Sequence, residues 1–122
     1  MSGLAVWLGA GALGALGAVA RFVLDGAVGR RAEGDMPWGT LVVNTLGCLA
    51  LGVIAGAGLA GDPRFLVAGG LVGSFTTFSS WLLETQRLAE DGEGRLALVN
   101  LALSIGLGLG AIGAGWWAGS LL

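Results

Sequence analysis

The stretch GGLVGSFTTF, residues 69–78, decides the fold, because it joins a complete lack of charge to a high density of glycine and hydroxyl side chains. An interior glycine weakens a helix by about 1 kcal/mol relative to alanine. Inside a membrane, irregular backbone is tolerated only where protein buries it or where it lines a cavity. The stretch therefore predicts a membrane helix that is broken near its middle, with a continuous but flexible glycine-rich helix as the alternative.

Charge is also absent from long blocks on both sides of this stretch. All six basic and eight acidic residues lie between four uncharged blocks. These blocks are residues 1–20, 36–61, 65–83 and 96–122. A soluble domain spreads roughly 25% charged residues over its whole surface, which this distribution cannot provide. A water-soluble globule is therefore excluded.

Each uncharged block is about as long as a helix that crosses a bilayer, which needs roughly 20 apolar residues. The sequence predicts one all-α, multi-pass transmembrane domain over residues 1–122. The connections after the second and third spans are short, so neighbouring helices are expected to be antiparallel. The predicted spans are about residues 4–24, 38–59, 65–90 and 95–121.

Glycines four positions apart occur in the second and fourth spans. Small residues at this spacing let the backbones of membrane helices approach closely, so packing between helices is their expected role. The pairs are Gly52 and Gly56, Gly106 and Gly110, and Gly115 and Gly119.

Several function classes are excluded by residues that the chain lacks. It has no histidine, and Cys48 is its single cysteine. A Ser–His or Cys–His catalytic pair cannot form within the chain, and a His/Cys metal site is excluded as well. The formal net charge of −2 and the lack of a basic run argue against nucleic-acid binding. We therefore do not expect an enzyme.

A few polar side chains interrupt the apolar spans. Thr40 and Asn44 lie one turn apart in the second span, and Asn100 and Ser104 repeat this arrangement in the fourth. A hydroxyl can bond to the backbone of its own helix, whereas an amide has two donors and an acceptor to satisfy. Asn44 is therefore expected either to clamp two helices together or to line a polar pathway.

The kinds of polar residue present favour an anion as the transported ion. Carriers of protons or cations usually need an acidic side chain within the membrane, and no Asp, Glu or Lys lies in the middle of a span. Neutral donors and Arg21 remain. The positive edges of aromatic rings such as Phe78 and Trp81 can also face an anion, although lipid contact or packing is the alternative role for these rings.

Four stretches, in order and one per span, resemble the Fluc family of bacterial fluoride channels, also called CrcB proteins. The first three are GALGAVARF at residues 14–22, WGTLVVNTLG at 38–47 and GSFTTFSSWLLE at 73–84. The third is the most specific. Asn100 with Ser104 is a weaker match to the fourth-span pattern.

The resemblance implies a fluoride-selective channel that exports the ion passively and lowers cytoplasmic fluoride. It also implies four transmembrane helices, the third broken at mid-membrane, in an antiparallel dual-topology dimer. The dimer is expected to be a homodimer of oppositely inserted chains, or a heterodimer with a paralogous chain. Fluoride and the lipid bilayer are the other expected partners, and the cell (inner) membrane is the expected location.

The resemblance further implies a set of site residues. A structural Na⁺ at the centre of the dimer interface is expected to bind the backbone carbonyls of Gly73 and Thr76. Two positions depart from the family pattern, since many members have Phe at the position of Trp81 and Tyr at that of Asn100. The residues expected to line the pore and bind fluoride are Asn44, Phe78, Trp81, Thr40, Thr77, Ser104 and Arg21.

Two other classes of small membrane protein are alternatives. Small multidrug-resistance transporters also have four spans and opposed dimers, but they depend on a glutamate in the first span. Residues 1–20 contain no acidic side chain. A structural subunit of a larger membrane complex would need neither Asn44 nor a break at Thr76 and Thr77.

Overall fold

The computed structural model describes residues 2–122 as an all-helical chain in which four helices are long and apolar enough to cross a membrane. Met1, the first residue of the predicted domain, lies outside the described residues. The helices are α1 (Gly3–Arg31), α2 (Trp38–Gly56), α3 (Gly61–Glu90) and α4 (Gly94–Ser120).

The helix ends follow local chemistry. The Ser2 hydroxyl accepts a hydrogen bond of 3.2 Å from the Ala5 N–H and caps α1. At the other end, α1 continues beyond the predicted first span, with Arg30 and Arg31 in its last turn. Cations are favourable there because the C-terminus of a helix carries partial negative charge. The helix thus includes part of the polar segment that follows the first uncharged block.

Tight turns join α2 to α3 and α3 to α4. Gly58 and Gly61 have φ angles of 72° and 65° in the first of these turns. Such left-handed backbone favours glycine, which has no Cβ to clash with the carbonyl that follows. The two short turns make α2, α3 and α4 consecutive antiparallel neighbours, as expected from the sequence.

Glycine pairs bring α2 and α4 into close backbone contact. A Cβ atom on Gly52 would meet the Ile112 carbonyl oxygen, and one on Gly115 would lie 3.0 Å from the Val53 nitrogen. Gly56 and Gly119 are equally close to the opposite helix. Their predicted packing role is confirmed.

The remaining predicted pair, Gly106 and Gly110, makes no close contact with another helix. Gly106 and Gly110 have no heavy atom of a neighbouring helix within 4 Å of a would-be Cβ. The prediction that this pair packs two helices together is wrong for the single chain, because its face of α4 points away from α2.

Helix α3 is irregular where the sequence is richest in glycine. Residues Phe65–Val72 form a π-helix, a wide and rare form that occurs often at functional sites. Its glycines allow close approach to α1, since a Cβ on Gly70 would lie 3.0 Å from the Ala10 carbonyl oxygen. The helical pattern then stops at Thr76 and Thr77, which are both extended. We call residues 61–75 α3a and the helix Phe78–Glu90 α3b.

Candidate functional site

The interruption of α3 is held by a side chain of α2. Thr77 has φ and ψ angles of −145° and 119°, close to those of an antiparallel β-strand. Its N–H donates to Asn44 Oδ1 at 2.8 Å, and Asn44 Nδ2 donates to the Thr77 carbonyl oxygen at 2.8 Å. Of the two roles left open for Asn44, the structure shows the clamp between helices.

These bonds use backbone N–H groups that would donate to other carbonyls if the helix were continuous. In an α-helix each N–H donates to the carbonyl four residues earlier, so the Thr77 N–H would serve the Gly73 carbonyl. The Ser80 N–H would serve Thr76, but it donates instead to the Thr77 hydroxyl at 3.2 Å. The carbonyls of Gly73 and Thr76 are thereby released from their helical donors.

The released carbonyls fit the chemistry of a hard cation, which prefers oxygen ligands. Gly73 is exposed and Thr76 is half-buried, so both lie near the surface of the single chain, where a second subunit could add ligands. Among residues 2–122, no group of three or more His, Cys, Asp or Glu side chains could hold a metal ion.

A groove of about 380 Å³ lies beside the interruption. We call it the amide groove. It brings together residues from α2, α3 and α4, and it contains no acidic or basic side chain. Five of the predicted pore residues line it, together with Cys48 and Thr76: they are Asn44, Thr77, Phe78, Trp81 and Ser104.

Two aromatic rings line the amide groove. Phe78 and Trp81 pack edge to face, with ring centroids 5.5 Å apart and an interplanar angle of 62°. Phe78 remains 68% exposed in the single chain. The Trp81 Nε1 atom is buried and has no hydrogen-bond partner among residues 2–122, which is costly because the indole N–H can only donate.

The other two predicted pore residues line a separate cavity of about 210 Å³, which we call the arginine cavity. Arg21 and Thr40 lie there with Asp25 and Ser80, whereas Thr77 lines this cavity and the amide groove alike. The predicted residues therefore do not form one cluster. They occupy two cavities that meet at Thr77.

Thr40 has a partner that spacing along the chain could not reveal. Its hydroxyl donates to Glu84 Oε1 at 2.7 Å, and the residue as a whole is 3% exposed. The pairing joins α2 to α3b across 44 residues of sequence. Because this proton is already engaged, Thr40 offers less to an anion than its sequence position predicted.

Ser104 belongs to a hydrogen-bonded network on α4. Its hydroxyl donates to Asn100 Oδ1 at 3.4 Å, and Asn100 Nδ2 donates to the Thr85 hydroxyl at 2.8 Å. Thr85 in turn donates to the Trp81 carbonyl at 2.7 Å. The Ser104 bond is long and weak, so this hydroxyl can turn toward the groove at little cost.

Thr85 is the residue of this network that sequence reasoning missed. It lies one helical turn after Trp81, on the same face of α3b, and it is buried. The spacing could have indicated this role, because residues four positions apart on a helix lie on the same face. A hydroxyl one turn after Trp81 can therefore contact that residue.

Comparison with known proteins adds independent information. The sequence profile of the family described as "CrcB-like protein, Camphor Resistance (CrcB)" matches residues 8–116. The protein named Fluoride-specific ion channel FluC 2 of Mycolicibacterium paratuberculosis is 48% identical over 108 residues, which cover 88% of each chain. Fluoride-specific ion channel FluC 1 of Rubrobacter xylanophilus is 47% identical over 105 residues, or 85% of each chain. The profile match spans the residues of both cavities, and the chain belongs to the CrcB family.

Proposed function

We propose that this multi-pass membrane protein is a fluoride channel that exports fluoride passively and lowers its concentration in the cytoplasm. The observation that carries the proposal is the amide groove, where neutral donors and aromatic edges meet without an acidic side chain. The relatives' name, fluoride-specific ion channel, supports the same function.

The amide groove can replace the water around a small anion. Asn44 uses one N–H in its bond to Thr77, which leaves the second N–H as a donor. Ser104 supplies a hydroxyl once its long bond to Asn100 opens. The ring edges of Phe78 and Trp81 add positive electrostatic potential. In a narrow path a larger halide would make poorer contacts with these donors.

The arginine cavity is the proposed entrance to the pathway. The half-buried Arg21 guanidinium attracts anions, and Thr77 forms the wall shared with the amide groove. Helix α3b begins just after Thr77, and the N-terminus of a helix carries partial positive charge. An anion that moves from Arg21 toward Asn44 therefore passes the guanidinium and then the N-terminus of α3b, which together offset the Asp25 carboxylate of the same cavity.

The assembly around this pathway is part of the proposal. We place the interruption of α3 at mid-membrane, where irregular backbone must line a cavity or be buried in protein. Two oppositely inserted chains would bring their Gly73 and Thr76 carbonyls together around a central Na⁺. When bound there, Na⁺ supplies a fixed positive charge close to the anion path.

The dimer is proposed as a homodimer. A heterodimer with a second, similar chain is the alternative. The numbers 1 and 2 in the relatives' names are compatible with paired, non-identical chains. In either case residues 1–122 act as one transmembrane domain.

Efflux from liposomes tests the function against its alternatives. Purified protein in liposomes loaded with potassium fluoride should release fluoride to an external fluoride electrode when valinomycin balances the charge. A small multidrug-resistance transporter would instead export cationic drugs in exchange for protons. A structural subunit would move neither, and either result would refute the proposal.

A further inference from the structure

The bonds between Asn44 and Thr77 depend on the conformation of Thr77. In an α-helix the N–H and C=O groups of one residue point toward opposite ends of the helix. In an extended residue the two groups lie on the same edge, and two paired strands exchange both bonds between facing residues. A single planar amide can reach both groups only in the extended state. Asn44 therefore acts toward Thr77 as a partner strand would.

The same pair of bonds fixes the orientation of the amide. The Thr77 N–H requires an acceptor and its carbonyl requires a donor, so Oδ1 and Nδ2 cannot exchange places without losing both bonds. Asn44 is half-buried and lines the amide groove. Its second N–H is held in place by this geometry, and a flipped amide that presents its oxygen to an anion is disfavoured.

We propose that Asn44 is a positioning residue that selects the extended conformation of Thr77, and that by doing so it holds open both the anion path and the carbonyls of Gly73 and Thr76. The role given to the groove and the carbonyls rests on the proposed function. The claim about the conformation of Thr77 does not rest on that function, because it follows from the two Asn44–Thr77 hydrogen bonds and from the φ and ψ angles of Thr77. One side chain of α2 thus links the two ion sites.

Nuclear magnetic resonance of the protein in lipid nanodiscs tests this claim. The chain has five threonines, so ¹³C-threonine labelling gives few signals, and single Thr→Ser variants assign those of Thr76 and Thr77. The Cα and carbonyl shifts separate extended from helical backbone. The protein is purified without Na⁺, in N-methylglucamine buffer, so that no bound cation supports the segment.

The wild-type chain should show extended shifts at Thr77. Asn44→Ala should lose them, with resonances that move toward helical values. Cys48→Ala is the matched control, because Cys48 lies one turn later on α2, lines the same groove and makes no bond to Thr77.

Extended shifts at Thr77 in Asn44→Ala would overturn the proposal, as would helical shifts in the wild-type chain without Na⁺. Fluoride efflux from the same wild-type preparation separates this result from the proposed function. Absence of wild-type efflux would refute the channel and leave the conformational result standing. Efflux together with unchanged shifts in Asn44→Ala would refute the positioning role alone.

Discussion

At the scale of single residues, the account depends on groups whose hydrogen bonds can be traced. Asn44 meets Thr77, Thr40 meets Glu84, and Asn100 meets Thr85. Each bond joins two helices. The polar residues of the spans therefore hold the helices together as well as lining the proposed ion path. The rings of Phe78 and Trp81 have no such cohesive bond, which makes their role in conduction easier to isolate.

The first prediction concerns these two rings. Phe78→Ile keeps an apolar side chain but removes the aromatic edge, so fluoride efflux should be abolished while the protein still assembles. Trp81→Phe keeps an edge and removes the unpartnered Nε1–H, so efflux should stay within about threefold of wild type. Liposome efflux and size-exclusion chromatography provide the readouts. Wild-type efflux in Phe78→Ile would show that the ring only packs.

The second prediction concerns the buried network behind Ser104. Asn100 is 1% exposed, and Thr85→Val would leave its Nδ2 without this partner. A buried donor left unsatisfied costs about 1–3 kcal/mol, so the free energy of unfolding should fall by that amount. Unfolding in a denaturing detergent measures it. Ser120→Ala, which removes an exposed hydroxyl bond at the end of α4, is the control and should change stability by less than about 0.5 kcal/mol.

At the scale of the helices, close approach between backbones determines how α1, α2, α3 and α4 are arranged. Glycine spacing predicted the α2–α4 contact correctly at Gly52 and Gly115 but not at Gly106. Spacing identifies a small face on a helix and does not say what covers it. The π-helix of α3a was likewise beyond prediction, because glycine density indicates a weak helix and not the form it takes.

The third prediction compares two glycines of this kind. A Cβ on Gly52 would collide with the Ile112 backbone, and backbone cannot move aside as a side chain can. Gly52→Ala should therefore separate α2 from α4 and destabilise the protein by about 1–3 kcal/mol. Gly110→Ala has open space and should be neutral, or stabilising by up to about 1 kcal/mol. Equal stability of the two variants in detergent unfolding would contradict the packing described here.

The sequence predicted more of the site's composition than of its arrangement. Asn44 and Ser104 stood out because an amide and a hydroxyl in lipid each need a partner, and both line the amide groove. The partners themselves could not be predicted. The bond from Thr40 to Glu84 depends on which faces of α2 and α3b meet, and local spacing carries no information about that.

At the scale of the whole molecule, the charges at the helix ends bear on how the chain inserts. Arg30, Arg31 and Arg95 lie beside the first and third connections, whereas Arg64 lies beside the second connection. An excess of Lys and Arg marks the cytoplasmic side. A difference this small permits insertion in both directions, which a homodimer of opposed chains requires.

The fourth prediction follows from that balance. Reporters fused to the C-terminus, one active only in the cytoplasm and one only outside it, should both give signal from the wild-type chain. Arg31→Ala should shift the two populations toward equality, because it reduces the excess beside the first connection. A signal from outside the cytoplasm alone would contradict the homodimer and would require a partner chain of opposite insertion.

The central claim is that the amide groove conducts fluoride in preference to larger anions. The most direct test is the reversal potential in a planar bilayer with fluoride on one side and chloride on the other. We expect current carried by fluoride, with a reversal potential far toward that of a purely fluoride-selective membrane. A reversal potential near zero, which means comparable permeability to chloride, would contradict the account.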